Sequence, residues 1–412
     1  MRITYLTQYF RTPPMGGGTR AYEFARRLVA AGHDVTVLTG LPPAGSAGGA
    51  LPAEAAGARV VWLPVACDNR MGFRRRLGAF GAYACGAAAR GRRVPADLVF
   101  ATSTPLTVAV PAVAVARRWA APVVLEIRDL WPQLPIDFGA LRSPAARRAG
   151  FALERWAYRH ADEIVALTPG IADSIRDRFP GASVHLVPNG ADADVFADAD
   201  ARGAALRARE AWLGERPMLL YAGTVGLANG VDYLVRLAAA LARHAPRACV
   251  VVLGTGNRRA DVGAAAAAAG VLERNLYLRD PVGKEEAAAW FGASTLTVST
   301  LVDLPSLQGS APNKVFDSLA ARRPVAANYG GWLTDLLVAA GAGLYLPPGD
   351  PDAAARALAG WLADPDRLAA ARRAAAEVAD RHFRRDALFS RFHDVLRDAA
   401  APTRTATPTP SI

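Results

Sequence analysis

The sequence predicts an α/β protein made of two doubly wound parallel-sheet domains that face each other across a cleft. Short apolar strands alternate with helical stretches from residue 3 onward, and such alternation requires parallel strands joined by crossovers. The alternation breaks near Pro188-Asn189-Gly190, in an Ala/Asp-rich run, and restarts at Met218. A chain of 412 residues is long for one domain and comfortable for two.

Taken in order, Ile3-Thr4-Tyr5-Leu6 is the first strand, followed by a loop with Pro13, Pro14 and Gly16-Gly17-Gly18. A helix then runs from about Thr19 to Ala31, Gly32 stops it, and Asp34 to Thr39 is the second strand. Val60 to Pro64, Leu98 to Ala101, Val123 to Ile127, Glu163 to Leu167 and Val184 to Val187 read as the remaining strands of the first half. In the second half the strands are Met218 to Ala222, Cys249 to Leu253, Leu276 to Leu278, Leu296 to Ser299, Pro324 to Ala327 and Gly343 to Leu346. The expected organisation is a first domain over 1–190, a linker over 191–212 and a second domain over 213–380. A C-terminal helix over 381–398 is expected to pack back toward the first domain, and 399–412 reads as a disordered tail.

Composition excludes several classes. Cys67, Cys85 and Cys249 form neither a disulfide framework nor a metal knuckle, and no His pair or Cys cluster offers a metal site. The N-terminus lacks the apolar run of a signal peptide, which argues for a cytoplasmic protein. Leu98 to Ala116 carries no charge, but Pro105, Pro111 and its Ser/Thr content fit a strand, a loop and a helix better than a membrane span. Residues 1–190 hold 23 Arg, no Lys and 13 acidic residues, so nearly all of the net charge of +11 sits there. No nucleic-acid motif accompanies it. The clusters Arg74-Arg75-Arg76 and Arg90, Arg92, Arg93 interleave with Phe73, Leu77, Phe80 and Tyr83, a mixture that suits the anionic inner face of the plasma membrane. A solvated, arginine-rich surface is the alternative.

Four stretches can carry chemistry. The glycines at 16–18 and Gly223-Thr224-Val225-Gly226 each follow a first strand, where bare backbone can approach phosphate or sugar oxygens; neither has dinucleotide spacing. Asn313-Lys314-Val315-Phe316-Asp317 opens a helix, and Lys314 is one of only two lysines, the other being Lys284. A lysine there fits a diphosphate, and Asp317 can accept two ribose hydroxyls; Asn313 as a simple cap beside a solvated Lys314 is the alternative. Glu126-Ile127-Arg128-Asp129 ends an apolar strand, so Arg128 and Asp129 fall at the ligand-binding edge of the sheet, with Glu126 supporting them; a surface ion pair among the three is the alternative.

The stretches QYFRTPPMGGGTRAYEFARRLVAAGHDVTVLTG, EIRDLWPQLP, VPNGADADVF, LLYAGTVGLANGVDYL and GSAPNKVFDSLAARRPV, in this order, resemble glycosyltransferase family 4 over residues 1–398. These are retaining enzymes with the GT-B fold, two Rossmann-like domains facing across a cleft. Within the family the chain is most similar to the bacterial N-acetylfucosaminyltransferase-like branch of O-antigen and capsule assembly. The resemblance implies Gly17 and Gly18 near the donor phosphates and the acceptor, Gly223 and Thr224 at the diphosphate, backbone near Val282 at the uracil and Asp317 at the ribose. It implies a UDP-sugar donor, no metal or other cofactor, and a saccharide acceptor, expected to be lipid-linked, for an enzyme peripheral to the inner face of the membrane.

Three positions depart from the broader family. Gly309 stands where a second acid is usual, Thr224 and Asn229 replace an Arg and a Lys, and Arg128-Asp129 replaces His-Asp. That His commonly meets the donor 6-hydroxyl, so the resemblance implies a 6-deoxy, N-acetylated donor. Lys314 is expected to supply the missing charge, with Arg128 and Asp129 orienting the reactants. A GT-B epimerase or other enzyme acting on a soluble substrate, and a non-catalytic sugar-nucleotide sensor, are the competing expectations.

Overall fold

The computed structural model describes residues 1–15, 19–42, 51–66 and 71–401, with only the backbone of Phe73 and Arg74 described. The first domain holds β1 (Arg2–Thr7), β2 (Asp34–Leu41), β3 (Glu54–Ala55), β4 (Ala58–Ala66), β5 (Leu98–Thr102), β6 (Val123–Ile127), β7 (Glu163–Ala166) and β8 (Val184–Leu186). They form one sheet in the order β3-β4-β2-β1-β5-β6-β7-β8, parallel except for the β3–β4 pair. The second domain holds β9 (Met218–Ala222), β10 (Cys249–Leu253), β11 (Leu276–Arg279), β12 (Leu296–Ser299), β13 (Val325–Ala327) and β14 (Gly343–Tyr345). Their order is β11-β10-β9-β12-β13-β14, and every pair is parallel.

Strand periodicity divides each core between two faces. Leu219 and Tyr221 of β9, with Val250 and Val252 of β10, join helix Asp232–His244 on one face. Met218, Leu220, Cys249 and Val251 meet helices Lys284–Ala293, Asn313–Ala320 and Trp332–Ala339 on the other. The first domain is layered likewise, and one of its layers comes from the far end of the chain. Leu388, Phe392, Val395 and Leu396 of helix Arg385–Ala400 pack beside Phe24 on Ile3, Tyr5 and Phe100.

The chain crosses between domains twice, side by side. Ala191 N–H donates to Phe383 O and Arg385 N–H donates to Ala191 O, both at 3.3 Å. A Cβ on Gly190 would stand 2.4 Å from the Phe383 carbonyl oxygen, so only glycine permits this crossing. Residues 191–212, expected as a linker, contain helices Ala193–Phe196 and Ala199–Arg209, which pack on the second domain through Phe196, Ala199 and Leu206. The tail beyond residue 401 lies outside the described residues.

The membrane reading of residues 73–93 loses part of its basis. On helix Phe73–Gly91, Phe80 and Tyr83 point into the core, and the Tyr83 hydroxyl donates to Leu38 O at 2.9 Å. Leu77 and Arg75 remain exposed. Among the described residues no helix is long and apolar enough to cross a membrane; 98–116 is β5 followed by helix Ala109–Trp119.

Candidate active site

In each sheet the first strand is flanked by strands reached in opposite directions: β1 lies between β2 and β5, and β9 between β10 and β12. The crevice outside the carboxyl ends of such a pair is where doubly wound sheets bind ligands. In the first domain the loops after β5 and β6 meet there. Thr104 Oγ1 donates to Asp129 Oδ2 at 2.7 Å, and Arg128 N–H donates to Ser103 Oγ at 3.0 Å. Asp129 is thus held by a neutral donor that leaves its charge available. The Arg128 guanidinium has no ion pair among the described residues and shares the half-buried edge with Asp129.

Glu126 does not support this pair. It is buried and turned to Arg20, which donates to Glu126 Oε1 from Nε at 3.0 Å and from Nη2 at 2.8 Å. Thr102 Oγ1 donates to Glu126 Oε2 at 2.5 Å. Arg20 also donates to the carbonyls of Pro188 and Val187 at 2.8 and 3.0 Å. This fully donated, buried pair ties helix Arg20–Ala30, β6 and the first crossover together. The strand-end position of Glu126 suggested support of Arg128 and Asp129, because sequence carries no signal of a partner 106 residues away.

In the second domain Gly223 has φ +151°, and the next loop comes so close that a Cβ on Gly254 would stand 1.9 Å from Gly223 O. The Gly223 N–H donates to Leu253 O and the Val225 N–H to Thr255 O, both at 2.9 Å. These two amides are therefore engaged in building the loop, which leaves exposed Thr224 as its reaching residue. Lys314 lies directly behind: a Cβ on Gly223 would approach Lys314 Cε to 3.0 Å. Its Nζ sits 3.9 Å from the centre of the Tyr221 ring, and the Tyr221 hydroxyl donates to Thr224 O at 2.7 Å. Lys314 is buried and has no ion pair among the described residues. Burial pushes its pKa down to about 7.

Helix Asn313–Ala320 begins without a side-chain cap hydrogen bond, so Asn313 is not the cap that one reading of the sequence made it. Half-buried Asp317 follows, its pKa raised by burial against the fields of Lys284 and Arg385, with Asp192 adding to the rise. Half-buried Val282 packs on the same core. Asp192 was missed in the sequence, where it sits in an unremarkable Ala/Asp run. It takes Arg27 Nη2 on Oδ1 at 2.6 Å, and Arg385 Nε and Lys284 Nζ on Oδ2 at 2.9 and 3.3 Å. Both lysines thus stand at this end of the second domain. Gly17 and Gly18 lie outside the described residues, among which no cluster could hold a metal ion.

Two Rossmann-like domains with opposed switch points, one edge carrying Asp129 and the other Lys314 and Asp317, define the GT-B class. The chain matches the family described as glycosyl transferase 4-like domain over residues 15–190 and that described as glycosyl transferases group 1 over residues 216–364. It is 30% identical over 298 residues to a D-inositol 3-phosphate glycosyltransferase of Xylanimonas cellulosilytica, covering 69% of this chain and 68% of that protein. It belongs to this glycosyltransferase family. It is also 30% identical over 222 residues to an alpha-D-kanosaminyltransferase of Streptomyces kanamyceticus, covering 52% of this chain and just over half (55%) of that relative's length. The fold is similar to that of Anabaena HepE solved in complex with UDP-glucose, with TM-score 0.74, 15% identity and coverage of 97% and 100%.

Proposed function

We propose that the protein transfers a sugar from a UDP-sugar to a hydroxyl of a saccharide acceptor, without a metal and with retention at the anomeric carbon. The observation that carries this reading is Lys314, a buried lysine beside the backbone of Gly223 with no carboxylate partner among the described residues. A nucleotide diphosphate supplies the missing anion. Asp317 faces the ribose and the backbone at Val282 the uracil. The bond from the anomeric carbon to the diphosphate oxygen breaks with its electron pair leaving on UDP, stabilised by protonated Lys314. The acceptor hydroxyl attacks from the same face and gives its proton to the departing phosphate oxygen, while Asp129 and Arg128 orient the two sugars. The UDP-glucose complex of the structural neighbour supports a UDP donor.

Arg128 in place of a histidine supports a 6-deoxy, N-acetylated donor, and with it the N-acetylfucosaminyltransferase-like branch of O-antigen or capsule assembly. A lipid-linked acceptor at the inner membrane face is supported by the basic first domain. Exposed Arg148, Arg155 and Arg159 flank half-buried Phe151 and Trp156 on helix Pro144–Arg159. A soluble small acceptor is the second reading, favoured by the kanosaminyl and inositol phosphate relatives. The first test is the thermal shift with UDP, GDP, TDP and a panel of UDP-sugars. A shift with UDP that Lys314→Ala and Asp317→Ala both abolish supports the donor site; no shift with any nucleotide overturns it. UDP-glucose used far better than every 6-deoxy donor would reject the donor-sugar reading. Salt-sensitive sedimentation with anionic vesicles separates the two acceptor readings.

A further inference from the structure

The domains meet at a second place, away from the crossover. Helix Gln133–Asp137 follows the Asp129 loop. Leu134 within it and Phe138 at its end, both half-buried, pack on Leu301, Leu307, Ala327 and Tyr329 of the second domain. Ala228, Val302 and Leu304 complete the apolar cluster.

Each side of this contact is tied to one half of the site. On the first-domain side, Leu134 N–H donates to Leu130 O at 3.0 Å and Phe138 N–H to Leu134 O at 3.1 Å. The contact therefore moves with the segment that follows Asp129. On the other side, Asn328 holds Leu301 by both backbone groups, accepting its N–H at 2.8 Å and donating to its carbonyl at 3.1 Å. Val302 N–H donates to Ala228 O at 3.0 Å, which joins the cluster to the loop that begins at Gly223. Gln308 Oε1 accepts Gly330 N–H at 2.6 Å and fixes the far end of the segment. Lys314 lies in the first turn of the helix that follows.

We propose that Leu134 and Phe138 are positioning residues. They form an apolar latch that registers the Asp129 loop against the donor loop and keeps bulk water from the sugar end of the cleft. The latch then decides whether the sugar goes to the acceptor or to water. The inference rests on the transfer reading above. In both fates the bond between the anomeric carbon and the diphosphate oxygen breaks, and its electron pair leaves on UDP. In one fate the new bond comes from an acceptor hydroxyl oxygen, in the other from a water oxygen, and the incoming oxygen gives up one proton. A latch that excludes water favours the first by holding the acceptor side in place and denying the competitor access.

The test compares the wild type with Leu134→Ala, Phe138→Ala and, from the opposite wall, Leu304→Ala, with Phe138→Leu as the conservative variant. The quantities measured are UDP released per sugar transferred, the dissociation constant for UDP, and the radius of gyration by small-angle scattering. The expected result is a rise of about fivefold or more in UDP released per transfer for the alanine variants. UDP affinity should stay within about twofold, and Phe138→Leu should restore coupling. The ligand-free alanine variants should be larger than the wild type. Hydrolysis and transfer falling together in proportion, with unchanged dimensions, would overturn the latch. If the wild type releases no UDP from any donor, the transfer reading fails instead, and the scattering comparison still decides whether the contact holds the domains together. Leu304→Ala keeps the test open should a first-domain variant fail to fold.

Discussion

Lys314 weakens the fold that holds it. Its proton is lost near pH 7 in the folded chain and near 10.5 in an ordinary lysine, so between those values the unfolded chain binds a proton that the folded one lacks. Stability from this group therefore rises with pH across that window. Lys314→Met is expected to raise the melting temperature at pH 7 while abolishing the UDP shift, a pairing that loss of packing alone cannot produce. Diphosphate binding restores the charged form, so calorimetry at pH 8 in buffers of different ionisation enthalpy should show net proton uptake. No uptake would mean that Lys314 is already charged in the free protein. The Arg20–Glu126 pair behaves oppositely, since both side chains are at most 2% exposed and each is the other's only ion-pair partner among the described residues. Glu126→Gln strands the Arg20 charge and should cost about 3–5 kcal/mol in urea unfolding. These two residues also mark what sequence can reveal about a site. Lys314 was legible because it is one of two lysines in an arginine-using chain. Arg20 and Asp192 were not, because their meaning lies in partners more than ninety residues away.

Among the elements, strands were the most legible, since Cys249–Leu253 is apolar throughout, Val123–Ile127 is apolar but for Glu126, and both are buried on both faces. The two-residue β3 left no pattern to read. Helices Ala193–Phe196 and Ala199–Arg209 were missed because their Ala/Asp composition has a weak apolar stripe, and their place is set by tertiary contacts such as Phe196 on Phe291, ring centres 5.7 Å apart. Helix Arg385–Ala400 shows how much one element can carry. Phe392 is fully buried against Phe24 and Phe100, with ring centres 4.7 and 4.8 Å away. Phe392→Ala should lower stability by about 3–5 kcal/mol, read from the urea midpoint. The loss should appear in the first domain, although the substitution lies near the other end of the chain. Limited proteolysis should then cut within 1–187 before it cuts within 213–380.

At the scale of the molecule, Asp192 is the point where three segments remote in sequence share one anion. Arg27 comes from the first domain, Lys284 from the second and Arg385 from the returning helix. Asp192→Asn leaves Lys284 and Arg385 beside a neutral amide, while Arg27 keeps Glu23 and Asp386, and should cost about 3–5 kcal/mol. It should also uncouple the domains, so that one calorimetric transition becomes two; a single transition at an unchanged temperature would count against this role. The returning helix has a consequence for how the protein is made. The first domain is synthesised with part of one face of its sheet bare, because Leu388, Phe392, Val395 and Leu396 have yet to be translated. At about 5–20 residues per second the ribosome needs roughly 10–40 s to deliver them. For that interval Ile3, Tyr5 and Phe100 have only the cover of helix Arg20–Ala30, so the nascent chain is a natural client for chaperones, and a chain that stops before residue 385 has a first domain that lacks part of its core.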